Sequence, residues 1–253
     1  MNRFLTLLVL ICFTVISVAP AQSTDDKKSK ADEITADRVL ERFIEATGGR
    51  KAYEKLTSRV IKGTLEVAAQ GIKGTIEIYS KAPDKHWEVG VIEGIGEFTR
   101  AYDGQIGWSQ DPINGLRELS GVELAILKRS ATFNGELKWR QLYPKVELVG
   151  KEKINEKEVY VVRLTPTEGQ PVTSYYDTAS FLVVRTDMVQ EGPQGNVPIE
   201  SYVSDYREVN GIKIPFEIKQ SIPIGTLLIK LTEVKHNLPI DDARFRKPSS
   251  TVK

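Results

Sequence analysis

The sequence predicts an α+β domain dominated by one large antiparallel sheet, with helices covering its concave face. Three observations carry this. After Ser58 most of the chain alternates apolar and polar residues with a period of two, short turn signals join these runs, and only a few stretches show helical spacing. Runs joined by short turns pair as antiparallel neighbours, because parallel strands need long crossovers.

The chain opens with Arg3, an apolar run from Phe4 to Val18, and Ala19-Pro20-Ala21, the pattern of a signal peptide over residues 1–21. The run is roughly 15 residues against the ~20 that a helix needs to span a bilayer, and two threonines and a serine dilute it. An exported, soluble, periplasmic mature chain starting at Gln22 is therefore expected. The single cysteine, Cys12, lies inside the run and follows Ile11, so it is no lipidation site, and the mature chain has no thiol for a disulfide, a zinc site or a nucleophile. Without Arg3 the 34 remaining Lys and Arg balance 34 Asp and Glu, interspersed with no basic stripe. That balance argues against nucleic acid and against electrostatic attachment to anionic lipid.

Residues 22–33 (QSTDDKKSKADE) offer almost nothing to bury and read as a disordered leader; residues 34–253 read as a single domain. Thr35 is placed as an N-cap, Val39, Leu40, Phe43 and Ile44 recur at helical spacing, and Gly48-Gly49 ends the helix. A short second helix is expected over Arg50 to Leu56. Ile61, Gly63, Leu65 and Val67 then share one face of a strand, and after a turn at Gln70-Gly71 so do Ile72, Gly74, Ile76 and Ile78. Further strands are expected at Trp87 to Ile92 and Glu97 to Tyr102, with Asp103-Gly104 turning the chain into Ile106-Gly107-Trp108. A helix from Ser120 to about Thr132 interrupts them, with Ser120 and Glu123 as a capping box and Val122, Leu124, Ile126, Leu127 and Ala131 on its apolar side. Strands resume from Lys145 to Val149 and continue to Val234, and Asn210-Gly211 is the strongest hairpin signal in the chain. The segment Gln190 to Pro198 (QEGPQGNVP) reads as a loop. Roughly a dozen strands cannot lie flat, because twist accumulates across open sheets of about ten strands. The helices are the natural covers for the concave face.

Motifs for chemistry are absent. The two histidines, His86 and His236, lack convergent partners in the sequence and are expected in surface roles; Asp241-Asp242 and Asp103 are expected to serve turns. No G-x-S-x-G elbow, S-x-x-K pair, G-x-G-x-x-G frame or phosphate-binding loop occurs, so no enzyme active site, metal or cofactor is expected. What remains is apolar surface. Trp87, Trp108, Trp139, Phe98, Tyr102 and Phe133 fall in the middle third, where aromatics line a ligand cavity or, by default, fill a core.

The runs Glu45-Ala-Thr-Gly-Gly49, Tyr102-Asp-Gly-Gln-Ile-Gly-Trp108, Tyr206-Arg-Glu-Val-Asn-Gly-Ile-Lys-Ile-Pro-Phe216 and Asn237-Leu-Pro-Ile-Asp-Asp-Ala-Arg-Phe245 resemble the bacterial outer-membrane lipoprotein-sorting superfamily of LolA-like and LolB-like proteins, in its longer members. The resemblance covers nearly the whole mature chain. It implies an incomplete β-barrel whose concave side receives acyl chains, periplasmic residence, and a transport or chaperone role. Two functions follow as expectations. The first is a carrier that shields a lipid or lipoprotein acyl chain in a cavity lined by Leu65, Val67, Ile76, Ile78, Trp87, Phe98, Trp108, Leu124, Leu127 and Phe133. The second is a module that binds an envelope partner protein, with a filled interior and an exposed apolar patch.

Overall fold

The computed structural model describes residues 34–249 apart from 193–194 and 223–224. The expected signal peptide and leader lie outside the described residues. Helix α1 (Ala36–Ala46) starts as its sequence dictates, with the Arg38 amide donating to Thr35 Oγ1 at 3.2 Å and Ala36, Val39, Leu40 and Ile44 forming the buried face. It ends at Gly48, where a Cβ would stand 2.1 Å from the Gly211 carbonyl oxygen and φ is +134°. Only glycine lets the helix end dock this closely. Helix α2 (Arg50–Tyr53) is shorter than expected, the chain to Leu56 closing in a turn instead.

Thirteen strands form one antiparallel sheet among the described residues: β1 (Ser58–Val67), β2 (Ile72–Lys81), β3 (Lys85–Ile92), β4 (Gly96–Tyr102), β5 (Gly107–Asp111), β6 (Gly115–Glu118), β7 (Lys145–Ile154), β8 (Lys157–Thr165), β9 (Val172–Asp177), β10 (Val183–Gly192), β11 (Gly195–Val209), β12 (Ile212–Ile222) and β13 (Gly225–His236). Their order is β6-β5-β4-β3-β2-β1-β13-β12-β11-β10-β9-β8-β7, so the sheet is open, with β6 and β7 as edges. Lysines at 145, 151 and 153 and a bulge between Leu148 and Gly150 guard the β7 edge against pairing with other chains. Between the edge strands in sequence lie α3 (Gly121–Ala131), a 3-10 turn (Gly135–Lys138) and α4 (Trp139–Leu142).

The sheet curls around α3. That helix touches β3, β4 and β5 on one side and β10 on the other. In sheet order β3 and β10 are six strand spacings apart, ~29 Å if flat at about 4.8 Å each, whereas a helix is only about 10–12 Å across. Only a strongly curved sheet lets one helix reach both.

Two local expectations differ. Glu123 does not close a capping box with Ser120, whose side chain makes no cap bond; it is taken by Arg117 on β6. The segment Gln190 to Pro198 is not a loop, because β10 and β11 pair as far as Gly192 and Gly195.

Both faces of the N-terminal half of the sheet are covered. The convex face carries the C-terminal segment, in which Phe245 is fully buried against Val60 and Ile240. Asp241 caps a 3-10 turn (Asp242–Phe245) by accepting from the Ala243 amide, and Asp242 accepts from Lys81 and Lys85 at 2.7 and 2.6 Å. As expected, these aspartates serve structure, and so does Asp103, which accepts from the Gln105 and Ile106 amides.

Candidate functional site

Strand alternation and pairing fix which side chains face inward. Ser80 lies opposite both Arg59 and His86, and Glu88 lies opposite both Ile78 and Arg100. These residues therefore share the concave face with Ile61, Leu65, Ile76 and Phe98. Two adjoining cavities open on this face, with Arg129, Ser130, Tyr143 and Val172 in the walls of both. The first, about 370 Å³, is enclosed by Leu40 and Phe43 of α1, Phe133, Trp139 and Leu142 from the helical insert, and Leu164, Tyr176 and Val183 of the sheet. The second, about 340 Å³, lies under α3 between Leu119, Ile126 and Leu127 on one side and Met188 and Val189 on the other.

Polar side chains reach both cavities. One chain runs from the wall of the first cavity into the second: Ser80 Oγ, in the first, is 3.3 Å from His86 Nδ1, and in the second His86 Nε2 is 3.2 Å from Glu88 Oε2 and Arg100 Nε donates to Glu88 Oε1 at 2.7 Å. Burial alone would raise the Glu88 pKa, but Arg100 and His86 outweigh it and bring it down to about 2. Glu88 is thus an ionised, paired carboxylate. The backbone amides beside Ser80 belong to the β1–β2–β3 ladder. The Glu88 carboxylate is shared, one oxygen facing the His86 imidazole and the other accepting from Arg100. Nearby, Arg117 clasps Glu123 through two bonds of 2.8 and 2.7 Å, tying β6 to the first turn of α3.

In the first cavity Arg59 Nε donates to His236 Nε2 at 3.1 Å, so that nitrogen is unprotonated, and His236 Nδ1 is left to donate to Asn210 Oδ1 at 3.2 Å. Asn210 stands at the β11–β12 hairpin that receives the end of α1, with φ +53° followed by Gly211 at +80°. The two histidines expected at the surface are buried instead, at 5% and 9% exposure. Each sits in the inward phase of its strand, which the spacing from Ser80 and from Arg59 determines. Among the described residues no cluster of three or more His, Cys, Asp or Glu side chains is arranged to hold a metal ion.

No protein-family model matches the chain, and no curated protein matches its sequence significantly. Solved structures do match. A LolA superfamily protein from Nitrosomonas europaea superposes with a TM-score of 0.58 at 15% identity, covering 85% of this chain and 99% of the other. A DUF1329 family protein from Desulfovibrio piger gives 0.56 at 13% identity over 83% and 97%, and a domain named for outer membrane lipoprotein sorting from Vibrio parahaemolyticus gives 0.54 at 13% over 84% and 97%. The chain has the LolA-superfamily fold. At these identities the likeness concerns architecture, and in this chain the concave face of the LolA-superfamily fold carries charged as well as apolar side chains.

Of the ten residues assigned to a cavity from sequence, Leu127 and Phe133 line the second and first cavities, and Leu124 packs beside Leu127 against Tyr102 and Leu119. Leu65, Val67, Ile76, Ile78 and Phe98 share the concave face but stand outside both cavity walls. Trp87 and Trp108 are on the convex face, a correction with a plain cause. Inward placement of His86 and Glu88 sends Trp87 outward, where Tyr79 meets it edge-on at 5.5 Å and Arg244 lies 5.1 Å from its ring. Trp108 donates its indole N–H to the Phe245 carbonyl at 2.9 Å. Hydrophobicity suggested the inside for both, but a sheet covered on two sides buries aromatics on either face. Sequence reasoning missed Arg59, Ser109, Arg117 and the His86–Glu88–Arg100 chain; Arg59 was findable, two residues before Ile61 and so on its face.

Proposed function

We propose that this protein is an exported periplasmic carrier that shelters the acyl chain of a lipid or lipoprotein in the space between the curved sheet, α1 and α3. The observation that carries the reading is the pair of adjoining cavities of about 370 and 340 Å³ on the concave face. Clefts of this size, walled largely by apolar and aromatic side chains with a few polar groups, suit a small hydrophobic guest. A filled interior, which a pure protein-binding module would have, does not fit it. Among the described residues no helix is long and apolar enough to cross a membrane. Burying ten methylenes contributes ~8 kcal/mol before association costs, enough for useful affinity from apolar contact alone. The reading involves no reaction and no cofactor.

Titration with a fluorescent fatty-acyl probe tests it. Saturable binding by the wild type, lost on Ile126→Trp, which fills the second cavity from its wall, is the expected result. Failure to bind any acyl probe in a folded protein would contradict the carrier reading. Export is tested separately: the N-terminus of the periplasmic protein should lie at or within a few residues of Gln22, and an intact Met1 would contradict it.

A further inference from the structure

The Arg59 guanidinium is a cation set into the wall of an apolar cavity without a counter-ion. Among the described residues no carboxylate forms an ion pair with it; its Nε donates to the unprotonated nitrogen of His236, and the Phe133 ring lies 5.8 Å from the guanidinium carbon. Its Nη2 is buried and has no protein acceptor. Two further groups of the same cavity share this state: the indole Nε1 of Trp139, a residue only 6% exposed, and Asn134 Oδ1, whose amide nitrogen is spent on the Tyr53 carbonyl at 2.8 Å. Glu136, the carboxylate in the same lining, makes no ion pair with Arg59.

An unpaired buried charge is expensive, and buried polar groups without partners are rare in folded proteins. Here Arg59 and Trp139, each with a buried N–H that has no protein acceptor, stand in the wall of a space of about 370 Å³ that is otherwise bounded by side chains such as Phe43, Phe133, Leu142 and Leu164. The relay from Asn210 through His236 holds the Arg59 fork in place and, by occupying Nε, leaves its outer edge for something else. A planar guanidinium and an indole N–H together suit an oxyanion, and the apolar walls suit a hydrocarbon.

We infer that the cavity binds a single-chain anionic amphiphile, with its terminal oxyanion on Arg59 Nη2 and Trp139 Nε1 and its alkyl chain running along the aromatic and aliphatic walls into the adjoining cavity under α3. This rests on the carrier reading and narrows it to the class of cargo. A free fatty acid and the phosphate of a lysophospholipid present the same chemistry.

Isothermal titration of the mature wild-type protein with palmitate, 1-palmitoyl lysophosphatidate and the uncharged cetyl alcohol tests it. An anionic probe should bind at least ~10-fold more tightly than cetyl alcohol, since a charge-assisted hydrogen bond is worth about that or more. The tighter of the two anions identifies carboxylate or phosphate as the head group. Arg59→Gln should remove the anion's advantage over cetyl alcohol, while Arg59→Lys retains part of it. Cetyl alcohol binding as tightly as both anions to the wild type would overturn the inference while leaving the carrier reading intact. No binding of any of the three would overturn both, and the wild-type comparison decides the matter even if a variant fails to fold.

Discussion

Burial pushes the His236 imidazole from its ordinary 6.5 down to about 4, and the Arg59 charge acts in the same direction. The folded protein thus refuses a proton that the unfolded chain accepts below pH 6.5, so stability falls as pH drops from 6.5 toward 4, by on the order of 1–2 kcal/mol. Urea midpoints at pH 7.5 and pH 5 check this: the wild type should lose stability between them and His236→Gln should lose clearly less. Glu88 adds a later window. Its carboxyl is depressed to about 2 against an ordinary 4.5, so the stability it lends above pH 4.5 disappears as pH falls toward 2. The Ser80–His86–Glu88 chain is a structural link across β2 and β3, and the expected rate of p-nitrophenyl ester hydrolysis is that of buffer. A rate above background that Ser80→Ala abolishes would show the link to be catalytic after all.

Helix α3 owes its seat to what β5 lacks. A Cβ at Gly107 would come within 2.5 Å of Leu124 Cδ1 and 3.1 Å of Leu127 Cδ2. Gly107→Val should lift the helix from the sheet, which hydrogen exchange would register as faster exchange over residues 121–131 with β8 and β9 unchanged. The start of the same helix shows where local sequence signals stop. Ser120 and Glu123 spell a capping box, yet Arg117 draws Glu123 away through a bidentate ion pair from a neighbouring strand. Ser120→Ala should therefore cost less than ~0.5 kcal/mol instead of the ~1 kcal/mol typical of a lost cap. Most strands were legible because their period-two pattern and turn residues are local, as at Asn210-Gly211. The four-residue β6 was not legible, since so short an edge strand has no room for alternation, and neither was the further pairing of β10 with β11 through Gly- and Pro-containing sequence.

Across the whole molecule, curvature converts a simple alternating sequence into a container. The sheet brings β3 and β10 to opposite sides of one helix, and the unfilled space lies where α1, α3 and the 133–143 segment fail to pack the concave face completely. Sequence periodicity put Ile61 and Leu65, and Ile76 and Ile78, on common strand faces, and the β1–β2 register joins them on one side of the sheet. It could not locate the cavities on it, because those depend on where Leu164, Tyr176 and Met188, from the far half of the sheet, arrive in space. Nor did periodicity separate Trp87 and Trp108 from the inward set, since the C-terminal segment makes the convex face equally able to bury aromatics. The central claim is that the concave face holds an acyl guest. Native mass spectrometry of the protein purified from its own periplasm without detergent tests it most directly. The account predicts a species heavier than the mature polypeptide by the mass of one acyl lipid, which dissociates on activation and is missing in Ile126→Trp. The bare polypeptide mass in every such preparation of folded wild type would contradict it.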